Sequence, residues 1–87
     1  MKYIINQDFD KIDDENKTIL FTGTVENVYI LNEIETQIWK LFDHPCFINE
    51  AHEKFNTVTS QVKVKKEDFF DFVEQLIIRR ILILSND

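Results

Sequence analysis

His44, Cys46 and His52 lie close together in the chain, and imidazole beside thiol is the chemistry that holds zinc or activates a sulfur nucleophile. Metal ligands normally come as recognisable spaced pairs, and these are the only three candidates here. The pattern therefore reads as two surface or boundary histidines and a small packing cysteine. Carboxylates are plentiful, yet Asp13, Asp14 and Glu15 fall in an expected turn, and Glu67, Asp68, Asp71 and Glu74 decorate a solvated helix face. Neither group sets up a buried acid/base pair. With one glycine in the chain, phosphate-cradling loops are excluded as well, because their backbone needs the freedom that glycine supplies. Neither catalysis nor a metal or other cofactor is expected.

The chain offers an edge instead. Val28-Tyr29-Ile30-Leu31 is a short apolar strand that stops at Asn32, a good N-cap residue, with Glu35 three positions later. The pair reads as an Asn variant of the capping box, so strand must become helix within one residue. Two runs rich in β-branched and aromatic residues, Thr18–Thr22 and Asn27–Leu31, are joined by Gly23-Thr24-Val25-Glu26 in the manner of a hairpin. A third strand comes from Tyr3–Ile5 or Phe9–Ile12. The second is favoured, with Asp13–Asn16 as the turn into the next strand.

After the cap, Ile34, Ile38, Leu41 and Phe42 make one helical stripe, and Pro45 disfavours continuation, so a first helix covers residues 33–43. Ile48, Ala51 and Phe55 suit a shorter second helix that stops before Thr57-Val58-Thr59-Ser60, with an ambiguous cap at Phe47 or Asn49. The third, from Lys65 to Arg79, is the strongest periodic signal. It has Glu67 and Asp68 in its first turn and Arg79-Arg80 at its end, the charge order the helix dipole favours. Its apolar residues, Phe69, Phe70, Phe72, Val73, Leu76 and Ile77, span an arc of about 160°, where a core face needs about 100°. Phe70 and Ile77 on one flank, or Phe72 on the other, thus need a cover. Ile81-Leu82-Ile83-Leu84 follows as a short strand-like tail packed on the domain.

These elements predict an α+β, winged helix-turn-helix-like domain: a three-stranded antiparallel sheet followed by three helices, one domain over residues 1–87. A chain of 87 residues supports a single modest core. Lone Cys46 forms no intramolecular disulfide, there is no basic segment leading into a long apolar run, and no stretch approaches a membrane span. A cytoplasmic protein is expected. The net charge is −6, and its only cationic region, Lys63, Lys65, Lys66, Arg79 and Arg80, brackets the last helix.

Winged-helix domains commonly read DNA with a helix, which makes a DNA-binding regulator the principal alternative. Here the reading helix carries four carboxylates and no basic stripe, so nucleic acid is disfavoured. An exposed margin along Asn27–Leu31, beside the wide apolar face of the third helix, suits a peptide added as an extra strand. The surplus apolar residues are equally served by the tail Ile81–Leu84 or by a homodimer.

Tyr29-Ile30-Leu31-Asn32-Glu33, Ile38-Trp39, Leu41-Phe42-Asp43, Ala51, Phe55, Asp68-Phe69, Phe72-Val73, Leu76 and Ile81 together resemble the PqqD-like proteins, the precursor-peptide recognition elements. The resemblance spans residues 18–84. It implies a non-catalytic adaptor that binds the leader of a ribosomally made precursor peptide. Such an adaptor presents the core segment to a separately encoded maturation enzyme: a radical enzyme, a cyclase or a leader peptidase. It also implies that the leader pairs as a strand with Asn27, Val28, Tyr29, Ile30 and Leu31. The groove wall on the third helix is read as Phe69, Phe70, Val73 and Ile77, with Lys66 at its cationic start. Leu31 and Trp39 match positions that are structural in the family. The family often closes this helix with a glycine where Arg80 stands. A left-handed arginine is unfavourable by about 1–2 kcal/mol, so the helix is expected to end differently.

Overall fold

Strands from near the two ends of the chain lie side by side. In the computed structural model, which describes residues 1–23, 27–59 and 63–86, strand β1 (Tyr3–Ile5) pairs antiparallel with the last strand, β5 (Leu82–Leu84). The Asn6 amide extends this pairing to the Ile81 carbonyl at 2.9 Å, and Tyr3 exchanges backbone bonds with Cys46. Tyr3–Ile5 is therefore a strand of a separate two-stranded sheet, and the C-terminal tail is strand-like as expected.

The main sheet has the order β2 (Asp10–Asp14), β3 (Lys17–Phe21), β4 (Val28–Leu31), all antiparallel. The second strand runs through Asp14 rather than over Phe9–Ile12, so the turn into β3 is only Glu15-Asn16, with Glu15 at φ 55°. The sequence places this strand poorly because every residue in it is exposed. The linking residues 24–26 of the β3–β4 hairpin lie outside the described residues, and the pairing of the two strands is as expected.

Helix α1 (Glu33–Lys40) begins at Asn32 with the full capping box: the Asn32 amide donates to Glu35 Oε1 at 2.9 Å, and the Glu35 amide to Asn32 Oδ1 at 2.8 Å. A 3-10 turn, Leu41–Asp43, ends it before Pro45. Helix α2 (Ile48–Val58) uses the Phe47 position as its cap, where the Glu50 carboxylate accepts the Phe47 amide at 3.2 Å. It continues through Thr57 and Val58 instead of stopping before them, and the Thr57 hydroxyl donates to the Glu53 carbonyl at 2.8 Å. Helix α3 spans Lys66–Ile78. Its buried line is Phe69, Val73 and Leu76, packed with Leu20, Leu31, Ile38, Trp39, Phe42, Ala51, Phe55, Ile81 and Leu82 into one core.

Arg80 does adopt the left-handed conformation, with φ 63°. Its amide bonds the Ile77 carbonyl at 3.0 Å, and the Ile81 amide reaches back to Leu76 at 2.9 Å. Those two bonds are the Schellman pattern, and buried Ile81 against Leu76 is the apolar contact that accompanies it. The Asn6 side-chain amide also donates to the Arg80 carbonyl at 2.8 Å. The burial of Ile81 and the β1–β5 pairing thus outweigh the strain at Arg80. Replacing Arg80 by Gly should remove that strain and stabilise the domain by about 1 kcal/mol, read as a rise in the denaturant midpoint at unchanged slope. An unchanged or lowered midpoint would contradict this.

Candidate peptide-binding edge

Strand β4 terminates the main sheet; among the described residues its only pairing partner is β3. The tail that could have covered it is engaged with β1. Which β4 groups face outward follows from one bond and the register. The Thr22 amide donates to the Asn27 carbonyl at 3.3 Å, and that pair lies in the register that matches Leu20 with Tyr29 and Thr18 with Leu31. Hydrogen-bonded and non-bonded pairs alternate along an antiparallel ladder. Asn27, Tyr29 and Leu31 therefore turn their amides toward β3, whereas Val28 and Ile30 turn theirs toward the open margin.

Side chains alternate in the same way. Leu31 is buried in the core and Tyr29 is half-buried on the inner face, its ring 6.1 Å from that of Phe9. Val28 and Ile30 stand on the outer face, 43% and 63% exposed. Asn27, just before the strand, is exposed.

On α3, Phe69 and Val73 are fully buried; Phe69 packs its ring 6.0 Å from Phe55 and 5.0 Å from His52. They support the helix from beneath. Phe70 and Ile77 are half-buried on one flank, with the exposed Lys66 ammonium 5.5 Å from the Phe70 ring. Half-buried Phe72 lies on the other flank. Arg79, two helical turns on, shares that flank, and its guanidinium sits over the Tyr29 ring at 5.0 Å. This joins the end of α3 to β4. The sequence shows Arg79 only as a favourable charge in the last turn, because nothing local reveals which side chain it overlies. Tail residues Ile81 and Leu82 use part of the apolar arc of α3, and Ile78 remains 64% exposed.

The residues with chemical potential are dispersed. His44 is exposed. Cys46 is buried with its thiol donating to the Phe47 carbonyl at 3.3 Å, and burial, opposed by the nearby Lys54, pushes its pKa up, away from the reactive thiolate. His52 Nε2 lies 3.0 Å from both the Val64 carbonyl and the Asn56 side-chain amide, pinning the segment before α3. Among the described residues no helix is long and apolar enough to cross a membrane.

The architecture is similar to that of TbiB1 in complex with the TbiA(beta) leader peptide. The TM-score is 0.72 at 16% identity, covering 97% of this chain and 99% of that one. It is also similar to E. coli MccB, with TM-scores of 0.67 in a structure with succinimide and 0.65 in another, both at 16% identity. All of this chain is covered, but only 25% and 24% of MccB, so the chain spans about a quarter of that protein's length. No protein-family model and no curated sequence matches the chain. The likeness establishes the fold that the chain shares with these structures.

Proposed function

We propose that this domain is a non-catalytic adaptor that captures the leader of a ribosomally synthesised precursor peptide along β4 and presents the peptide to a separately encoded maturation enzyme. The observation that carries the reading is the outward row of Val28 and Ile30 backbone groups at the end of the sheet, next to the end of α3. An extended peptide gains main-chain hydrogen bonds from such an edge and side-chain pockets from the neighbouring helix. The fold shared with TbiB1, itself in complex with a leader peptide, supports the same reading.

The backbone of Asn27–Leu31 supplies the pairing strand, and α3 supplies the wall through Phe72 and Arg79, the flank that meets β4, rather than through Phe70 and Ile77 on the opposite flank. Phe69 and Val73, being wholly buried, hold that wall in place. A DNA-binding role for the same fold is disfavoured physically, since Glu67, Asp68, Asp71 and Glu74 are all exposed on α3 and would face phosphates. The maturation enzyme belongs to the classes that act on such precursors: a radical enzyme, a cyclase or a leader peptidase.

Main-chain pairing with two or three apolar anchors gives a dissociation constant near micromolar, about −8 kcal/mol, once ordering costs are subtracted. Lys66 and Arg79, both exposed, favour a leader bearing Asp or Glu, so affinity falls as salt is raised. Titration of a labelled leader peptide, followed through the amide signals of residues 27–31, tests both points. Signals that stay still at saturating leader would refute capture at β4; a salt-independent affinity would refute the electrostatic preference.

A further inference from the structure

The outer face of the main sheet is apolar and uncovered among the described residues. The register sets Ile12 beside Ile19 and Ile19 beside Ile30, a straight row across all three strands, with Phe21 beside Val28 next to it. Ile12 is 51% exposed, and Ile19 and Phe21 are half-buried. Solvated sheet faces ordinarily carry polar residues. At the rim of this cluster stand Asp10, opposite Phe21, and Asp14, opposite Lys17.

A strand that joins β4 lies about 4.8 Å away with its pleat matched, so residues opposite Val28 and Ile30 project onto this same outer face. The residue between them, opposite Tyr29, projects inward. There it meets Arg79, which has no carboxylate partner among the described residues. The two sides of one added strand therefore encounter different chemistry, an isoleucine row without and a guanidinium within.

We infer that the captured strand is read on both faces: two apolar residues two positions apart extend the Ile12–Ile19–Ile30 row and its Phe21–Val28 neighbour, and they flank an acidic residue that meets Arg79. The inference rests on capture at β4 and specifies the class of peptide, an alternating apolar–acidic–apolar segment. An acidic residue on the outer side meets only the apolar side chains of Val28 and Ile30 on β4, and an apolar residue on the inner side leaves the Arg79 charge without a partner.

The test is selection from a randomised displayed peptide library on the wild-type domain, on Val28→Pro, on Ile30→Thr and on Arg79→Gln. Thr keeps the β-branched shape at an exposed position, so Ile30→Thr retains the strand. Peptides whose capture is lost on Val28→Pro should carry Val, Ile or Leu at two positions around an Asp or Glu. Ile30→Thr should relax one apolar position alone and weaken a synthesised wild-type binder about fivefold, the upper range for a cross-strand pair. Arg79→Gln should relax the acidic position alone. Edge-dependent peptides lacking the apolar spacing, or unaltered on Ile30→Thr, would overturn the inference while leaving capture standing. Conversion of a dimer to a monomer by Ile30→Thr with unchanged peptides would overturn it by assigning the face to a second copy. A library yielding no Val28→Pro-sensitive peptide would sink capture, and the inference with it.

Discussion

Val28→Pro should weaken leader capture roughly 30- to 150-fold and leave the domain folded, whereas Tyr29→Pro should damage the fold itself. The two residues are adjacent on one strand, and the difference is the direction of an amide. Because the Thr22–Asn27 bond sets the phase of the ladder, the Val28 amide faces the open margin and proline removes nothing the domain uses. Edge strands accept proline at such positions. An incoming leader loses its bond to that amide and leaves a carbonyl desolvated against the proline ring. A stranded acceptor costs about 2–3 kcal/mol, a loss of roughly 30- to 150-fold in affinity. The Tyr29 amide belongs to the pair with Leu20, a core residue with no exposure. Proline there strands a carbonyl inside the sheet and deletes the ring that packs with Phe9 and Arg79. About 3 kcal/mol or more is lost, a large share of the stability of a domain this small. Circular dichroism separates the two variants before any binding measurement, and fluorescence anisotropy with a labelled leader completes the comparison. Wild-type affinity in a folded Val28→Pro protein would remove β4 as the capture site.

Why the sequence reached this edge but not its details follows from the range of the interactions involved. The capping box of Asn32 and Glu35, the β3–β4 pairing and the span of α3 are set by residues a few positions apart, so composition and periodicity reveal them. The pairing of Tyr3–Ile5 with Leu82–Leu84 joins the two ends of the chain, and nothing near either segment announces the other. The β2 strand hides for another reason: Asp10-Lys11-Ile12-Asp13-Asp14 is exposed along its whole length and shows no apolar alternation. Arg80 illustrates how tertiary context overrides local preference, because its conformation is dictated by the burial of the next residue, Ile81, and by the strand that residue leads into. The wide arc of α3 correctly signals apolar surplus, but periodicity fixes neither the depth of each residue nor the direction in which a flank points. Burial then separates Phe69 and Val73 from Phe70 and Ile77, and the position of Arg79 over Tyr29 ties the Phe72 flank to β4.

That separation yields the second large effect. Phe69 has no exposed surface and fills the space between Phe55 and His52; truncation to Ala removes a full aromatic side chain and leaves a cavity that close-packed neighbours only partly close. Phe69→Ala should cost about 3–5 kcal/mol, enough to place a domain of ordinary stability at the margin of unfolding near physiological temperature. Phe70, half-buried one position on, retains solvent on one side, so Phe70→Ala should cost about 1–2 kcal/mol of stability. Phe72→Ala, on the flank that Arg79 ties to β4, should instead raise the leader dissociation constant about tenfold, as expected for an aromatic anchor at an interface. Urea melts of the three variants, followed by leader titration at a temperature where all are folded, distinguish a wall residue from its support. If Phe70→Ala weakens leader binding while Phe72→Ala does not, the leader lies against the opposite flank of α3. If Phe69→Ala melts like the wild type, Phe69 does not carry the packing between α2 and α3.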